Sequence, residues 1–104
     1  MSGNRNREGR SVRLSIEEIT AIRETVHALD NEARVYLFGS RTDNTKRGGD
    51  IDLLVMSQKL TRGDAGKIRW RLWELLGEQK IDIVIAADTT DPFVRVALNE
   101  GVLL

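Results

Sequence analysis

Two aspartates, Asp50 and Asp52, open an apolar segment that runs on to Val55. If this segment is a β-strand, its side chains alternate between the two faces, so both carboxylates lie on one face, about 7 Å apart at their Cα atoms. Carboxylates held in this way can share divalent metal ions. The Gly39-Ser40 pair, which ends the preceding apolar segment, offers backbone N–H groups and a hydroxyl to a phosphate. These residue types and this spacing predict a site for a metal ion and a nucleotide.

A third aspartate, Asp82, lies between two isoleucines of a later apolar segment. An acid in such a strand lowers its stability unless the side chain is exposed or has a charged partner. If this strand lies beside that of Asp52, three carboxylates converge at one edge of a sheet and repel one another unless cations lie between them. Mg²⁺ binds oxygen ligands and is completed by water and substrate phosphates. We therefore expect Asp50, Asp52 and Asp82 to hold two Mg²⁺ ions for the transfer of a phosphorus group.

The elements that position these acids follow from hydrophobic periodicity and capping signals. A capping box over residues 15–18 starts a first helix, whose apolar stripe contains Ile19, Ile22, Val26 and Leu29. Further segments are predicted to be strands over 34–38, 51–56 and 80–86, helices over 61–78 and 92–100, and a terminal apolar strand or packing tail over 102–104. This order predicts an α/β (α+β) fold in which a small mixed β-sheet is flanked by helices.

The second predicted helix carries two tryptophans on one face. Its buried stripe is expected to contain Ala65, Ile68, Leu72, Leu75 and Leu76. Trp70 and Trp73 fall on nearly the opposite side, where large aromatic side chains are uncommon unless they contact a partner. Either the pair forms a partner interface or one of the rings packs under a loop, and the sequence leaves both interpretations open.

Composition limits the classes of function. The 104 residues suit one domain, which we place at 13–104 behind a polar tail over 1–12 that is expected to be disordered. Sixteen basic and sixteen acidic side chains give no formal net charge, so sequence-specific or bulk-charge binding to nucleic acid is not expected. With no cysteine and no apolar run of about 20 residues, we expect a cytoplasmic protein with no membrane partner. The single histidine, His27, points away from the apolar stripe of its helix and is expected to be a surface or flanking side chain rather than a base.

Three segments together carry a resemblance to a known family. Leu37-Phe38-Gly39-Ser40 is followed after nine residues by Asp50-Ile51-Asp52-Leu53-Leu54-Val55, and then by Lys80-Ile81-Asp82-Ile83-Val84-Ile85. This pattern resembles the DNA polymerase beta-type nucleotidyltransferase superfamily and, within it, the minimal nucleotidyltransferases. The resemblance runs from about Ser15 to the C-terminus. It implies a polymerase beta-like nucleotidyltransferase core.

The resemblance also implies roles for individual residues. Asp50 and Asp52 would ligate the metals, and Asp82 would ligate the catalytic metal and accept the proton of the attacking hydroxyl. Gly39 would let the backbone approach the triphosphate closely, and Ser40 would hydrogen-bond it.

Three basic residues after the Gly-Ser pair are weaker candidates for nucleotide binding. Arg41 follows the pair, as it commonly does in minimal members, and is a candidate contact to phosphate or acceptor. Lys46 and Arg47 could counter phosphate charge.

The reaction implied is attack of an acceptor hydroxyl on the α-phosphate of a nucleoside triphosphate, with ATP as the expected donor and pyrophosphate released. Small proteins of this family often pair with a helical HEPN-type toxin, and the nucleotidyltransferase then acts as the antitoxin by adenylylating a tyrosine of that partner. We expect this function here. Two alternatives remain: a binding module that neutralises its partner by occlusion, and a small-molecule nucleotidyltransferase of the aminoglycoside-modifying kind.

Overall fold

Helices and strands follow each other along the chain much as the periodicity predicts. The structure is a computed structural model, and it describes residues 14–38, 51–77 and 80–104. Within these ranges the order of elements is α1 (Ile16–Leu29), β1 (Arg34–Phe38), β2 (Ile51–Met56), α2 (Arg62–Leu76), β3 (Ile81–Ala86), α3 (Pro92–Glu100) and β4 (Val102–Leu103). The predicted α+β class is confirmed. The tail over 1–12 lies outside the described residues and stays a prediction.

The strands form one mixed sheet in the order β3-β2-β1-β4. β1 is antiparallel to both β2 and β4, whereas β2 and β3 are parallel. A parallel pair needs a long crossover, which α2 provides. β3 and β4 are therefore the edge strands of the described sheet. No helix in the described part of the chain is long and apolar enough to cross a bilayer.

Both faces of the sheet carry a hydrophobic cluster. On one face, Leu37, Leu53 and Val55 pack with α1 and α2 around the fully buried Ile22 and Ile68. On the other face, the smaller cluster joins Leu54 to Val94 and Ala97 of α3. Leu54 is fully buried although it shares its strand face with Asp52. The sheet face that carries the acids is thus packed against α3 at Leu54. Asp52 and Asp82 on the same face are less buried.

The first helix begins as predicted. Ser15 is its N-cap: the Ser15 hydroxyl accepts a hydrogen bond from Glu18 N at 3.1 Å, and Ser15 N donates to the Glu18 carboxylate at 2.8 Å. Ile22 and Val26 are fully buried, whereas Ile19 and Leu29 at the stripe ends are half-buried. Reciprocal capping satisfies backbone groups that the first helical turn leaves unpaired.

The second helix differs from its prediction in two respects. It ends at Leu76 rather than at residue 78, because Gly77 takes a φ of +85°, which favours glycine and stops the helix. Leu75, expected in the buried stripe, is 48% exposed. It lies at the rim of the contact between α2 and α1, beside Ala28 and Leu29. Periodicity gives the direction of a side chain on its helix, but not how far the packing partner extends.

The third helix ends at Gly101, as predicted, for a reason that the sequence does not contain. A Cβ atom at this position would lie 2.6 Å from the Ala97 carbonyl oxygen and 3.1 Å from that of Leu37. Both are backbone atoms that cannot move aside cheaply. A residue without a side chain lets the chain turn directly from α3 into β4.

A buried polar network ties the end of α1 to the end of β2. The Ser57 hydroxyl donates to the Asp30 carboxylate at 2.5 Å and accepts from Lys59 N and Leu60 N. Asp30 also accepts a hydrogen bond from Glu32 N at 3.0 Å. The Ser57 hydrogen bond, and then that of Glu32, hold the pKa of Asp30 below its usual value of 3.8, outweighing the effect of burial.

We predict that Ser57→Ala lowers the free energy of unfolding by about 2 kcal/mol at pH 7, because it leaves buried partners without hydrogen bonds. A group whose pKa is lowered on folding contributes stability above its unfolded pKa and loses that contribution as pH falls through the folded pKa. The difference between wild type and Ser57→Ala should therefore shrink below about pH 4. Urea denaturation at several pH values measures it. A difference that is the same at pH 7 and pH 3 would contradict this explanation.

Candidate active site

Asp52 and Asp82 meet near the start of two parallel strands. They are direct partners in the register of β2 and β3, so their Cα atoms lie about 4.8 Å apart by strand spacing. The hydrogen bond from Ile51 N to the Lys80 carbonyl oxygen, 2.9 Å long, fixes this register at its first step. Because side chains of partnered residues point to the same face, the two carboxylates project together. Asp52 is half-buried and Asp82 is exposed.

The other predicted site residues lie outside the described part of the chain. These are Gly39, Ser40, Arg41, Lys46, Arg47 and Asp50. By sequence, the first three directly follow β1, and Asp50 directly precedes β2. Their roles in binding nucleotide and metal stay predictions.

An aromatic contact borders the acid pair. Phe38, the last residue of β1, is the register partner of Asp52. Its ring meets that of Phe93 edge to face, with ring centroids 5.7 Å apart and planes at 75°. Phe93 belongs to the first turn of α3, so this contact holds the start of α3 against the strand next to Asp52.

The electrostatics of the pair suit a cation. Two carboxylates on adjacent strands repel each other in water and more strongly where one is half-buried, and a divalent ion between them removes the repulsion. Within residues 14–38, 51–77 and 80–104 no group of three or more His, Asp or Glu side chains is placed to hold a metal. Asp52 and Asp82 thus form a two-carboxylate arrangement, which oxygen-seeking Mg²⁺ fits.

His27 lies on α1, across the sheet from the acids. Its Nε2 is 3.0 Å from the Ala33 carbonyl oxygen, in the turn that leads to β1. This contact agrees with the expected flanking role.

The two tryptophans lie beside Asp82, which the sequence does not suggest. Trp70 and Trp73 are 60% and 41% exposed, with ring centroids 5.7 Å apart. They line a cavity of about 440 Å³ together with Lys80, Ile81 and Asp82. The face of α2 that carries the rings therefore opens onto one of the candidate catalytic acids. Whether the pair contacts a partner stays a prediction.

Arg69 also lines this cavity, and it was not among the site residues predicted from the sequence. It is exposed, and it lies four residues before Trp73 on α2. That i,i+4 spacing places the two side chains on one helix face and is the signal in the sequence that could have found it.

Comparison with known proteins agrees with this geometry. A model of the polymerase beta nucleotidyltransferase domain matches residues 20–104. The chain belongs to this family. A search of curated proteins finds no significant match.

Membership in the polymerase beta nucleotidyltransferase family means that the chain contains a nucleotidyltransferase domain. Members of this superfamily typically use a nucleoside triphosphate and a divalent metal. The match covers every described strand, including those that carry Asp52 and Asp82.

We predict that Asp82→Asn abolishes the rise in melting temperature that Mg²⁺ with a nucleoside triphosphate gives the wild type. In metal-free buffer the variant should be no less stable than wild type, because it removes one of two repelling charges from an exposed position. Differential scanning calorimetry measures both quantities.

Asp88→Asn is the matched control, because Asp88 lies just beyond the far end of β3 and accepts hydrogen bonds from Thr90 alone among the described residues. A retained Mg²⁺ response in Asp82→Asn, or its loss in Asp88→Asn, would contradict the assignment of Asp82 to the metal site.

Proposed function

We propose that this chain transfers a nucleoside monophosphate from ATP to a hydroxyl group of a partner protein, with Mg²⁺ held by Asp50, Asp52 and Asp82. The observation that supports it most is the in-register pairing of Asp52 and Asp82 in a nucleotidyltransferase domain. Metal bound at these carboxylates would neutralise phosphate charge and steady the leaving group.

The transfer exchanges one P–O bond for another. The acceptor oxygen bonds to the α-phosphorus of ATP, the bond from that phosphorus to the bridging oxygen breaks, and pyrophosphate leaves. The hydroxyl proton passes to a carboxylate, and we assign this role to Asp82 because it is the more exposed member of the pair. Gly39 and Ser40 would bind the triphosphate, with Arg41, Lys46 and Arg47 countering its charge.

A protein acceptor is supported by the surface next to Asp82. Two exposed tryptophan rings and a guanidinium line a cavity that also contains the acid. Tryptophan and arginine are the residue types that most often dominate binding energy at protein interfaces. A partner bound here would have its own side chains close to the transfer centre.

We further propose that the partner is a HEPN-type toxin and that adenylylation of its tyrosine neutralises it. This step rests on the resemblance to minimal nucleotidyltransferases. Neutralisation by occlusion is the second candidate, since an exposed tryptophan pair could bind a toxin without any transfer.

We expect the chain, ATP and Mg²⁺ to add one adenylyl group to the HEPN-type partner, seen by intact-mass spectrometry. Asp52→Asn should slow the transfer at least about 100-fold, because it removes a carboxylate from the metal site. Glu32→Gln, which changes an exposed acid in the turn after α1, serves as the control. Toxin neutralisation that persists in Asp52→Asn, with no added mass in the wild type, would support occlusion and overturn the transfer reaction.

We predict that Trp70→Ala combined with Trp73→Ala weakens binding to this partner by about 2 kcal/mol or more, as expected for an aromatic anchor. The free energy of unfolding should change by less than about 0.5 kcal/mol, because both side chains are exposed. Calorimetric titration and urea denaturation measure the two effects.

Leu75→Ala is the matched control, since Leu75 is an exposed apolar residue on the α1 side of the same helix. An unchanged affinity in the double variant, or loss of its fold, would remove the tryptophans from the interface.

A further inference from the structure

A groove follows the outer edge of β3. The cavity that contains Trp70, Trp73 and Asp82 borders a second cavity of about 670 Å³, and both include Arg69. The first is lined by residues 80–82 and the second by residues 83–88, so together they follow β3 from its beginning to beyond its end. We call this the β3 groove. One wall is α2, and Val94 of α3 and the α3 N-cap, Asp91, lie near the far end.

Within the described residues, part of the backbone of β3 has no hydrogen-bond partner along this groove. The carbonyl oxygens of Lys80 and Ala86 accept from Ile51 N and Ser57 N of the β2 side. Because alternate residues of a strand direct their backbone groups to the same neighbour, those of Ile81, Ile83 and Ile85 point away from β2. In the described sheet β3 pairs with β2 alone, so these N–H and C=O groups form an open edge.

Two glycines in α2 leave room above that edge. Gly63 and Gly66 both line the groove, and a Cβ at Gly66 would meet no atom within 4 Å. Glycine inside a helix lowers its stability by roughly 0.5–1 kcal/mol relative to alanine. Packing within the described residues does not require a glycine at position 66. A segment that enters beside β3 would need the space.

Three acidic and three basic side chains line the groove, and they differ in how far other described residues engage them: Asp82, Asp88 and Asp91, and Arg62, Arg69 and Lys80. Asp88 is bound by Thr90, and these hydrogen bonds keep its pKa below the usual value, while Asp91 caps α3 by accepting from Phe93 N. Arg62 and Arg69 on the α2 wall have no ion pair with any described residue. The groove therefore presents two guanidinium groups able to pair with carboxylates.

We propose that the β3 groove binds an extended acidic segment of the partner protein, which adds to the sheet as a strand beside β3. An added strand pairs its backbone with the open edge, and its alternate side chains meet the groove walls. Acidic side chains would pair with Arg62 and Arg69, and an apolar or aromatic one would pack on Trp70 and Trp73. The residue opposite Asp82 would lie about 5 Å from it on the same face. That placement rests on the proposed function, whereas the strand addition does not.

Charge argues against two other occupants. The segment before residue 14 carries Arg5, Arg7, Arg10 and Arg13 and no acid other than Glu8, so it would bring like charge to the α2 wall. A second copy of this chain, paired edge to edge through β3, would bring a second Arg62 and Arg69. Of the groove acids that come with them, Asp88 and Asp91 are already engaged in hydrogen bonds. An acidic segment of another protein matches the groove better than either.

The test is selection of ten-residue peptides from a random library displayed on phage, with the full chain as bait. Selected peptides should be rich in Asp and Glu and should change the fluorescence of the chain's two tryptophans. With ¹⁵N-isoleucine labelling, the amide exchange of Ile81, Ile83 and Ile85 should slow on binding, while that of Ile51, already bonded to Lys80, should not change.

Matched variants locate the site. Arg69→Glu should weaken binding of a selected peptide at least about tenfold, the effect of losing a charge-assisted contact. Arg71→Glu, on the same helix but paired with Glu74 and away from the groove, should not. Gly66→Leu should weaken binding because the new side chain fills the groove. Lys67→Leu, on the side of α2 that faces α1, should leave binding unchanged. Methylating the alternate peptide nitrogens that face β3 should abolish binding, whereas methylating the other set should not.

The remaining outcomes either overturn the strand addition or separate it from the proposed function. If no peptide is enriched, or if selected peptides leave the three isoleucine amides unchanged, no strand adds there. Slow exchange of these amides in the free monomer would show that the chain covers its own edge, and slow exchange that depends on protein concentration would show a second copy. If peptides bind as expected but no partner is ever adenylylated, the groove stands and the proposed function fails. If adenylylation of the partner is unchanged in Arg69→Glu and Gly66→Leu, the proposed function stands and the groove does not bind the partner.

Discussion

The parallel pairing of β2 with β3 is the constraint on which the rest of this structure depends. It sets Asp52 directly beside Asp82 through a register that starts at Ile51 and Lys80. A shift of that register by one residue would turn one acid to the opposite face, into the apolar cluster under α1 and α2. The apolar residues that alternate with the acids prevent the shift, because Ile51, Leu53 and Ile81 are buried on that face. The hydrophobic core therefore positions the charged pair.

The same pairing decides where α2 lies. Parallel neighbours cannot be joined by a tight turn, so the chain crosses over the sheet between β2 and β3, and α2 packs on α1 and β3 as it does so. Ile68 and Leu72 are buried in this contact. The opposite face of α2, with Arg69, Trp70 and Trp73, is left overhanging the sheet edge next to Asp82. One crossover thus makes neighbours of a candidate catalytic acid and a candidate recognition surface.

Burial on both faces explains why the site is confined to the strand beginnings. β2 is central, with Leu53, Leu54 and Val55 all fully buried, so its polar residue can be tolerated only at the end where α3 does not cover the sheet. The Phe38–Phe93 contact marks the limit of that cover beside Asp52. At the other end of β2, the Ser57–Asp30 hydrogen bond closes the core with a satisfied polar network instead.

The sequence by itself determined the elements and the chemical character of the site. A run of β-favouring residues before Gly39 gave the limits of β1, and period-2 alternation gave those of β2. The Ser15 capping box started α1, and the Asp91-Pro92 pair started α3. These signals are local and act within a few residues. The aspartates in apolar strands marked the candidate chemistry for the same reason. Tertiary structure alone decided that Asp52 and Asp82 are partners, that Leu75 is exposed, that Gly101 has no room for a side chain, and that the tryptophans border Asp82. Each of these depends on which element lies against which, and a helix or strand pattern encodes the direction of a side chain without naming the neighbour that it meets.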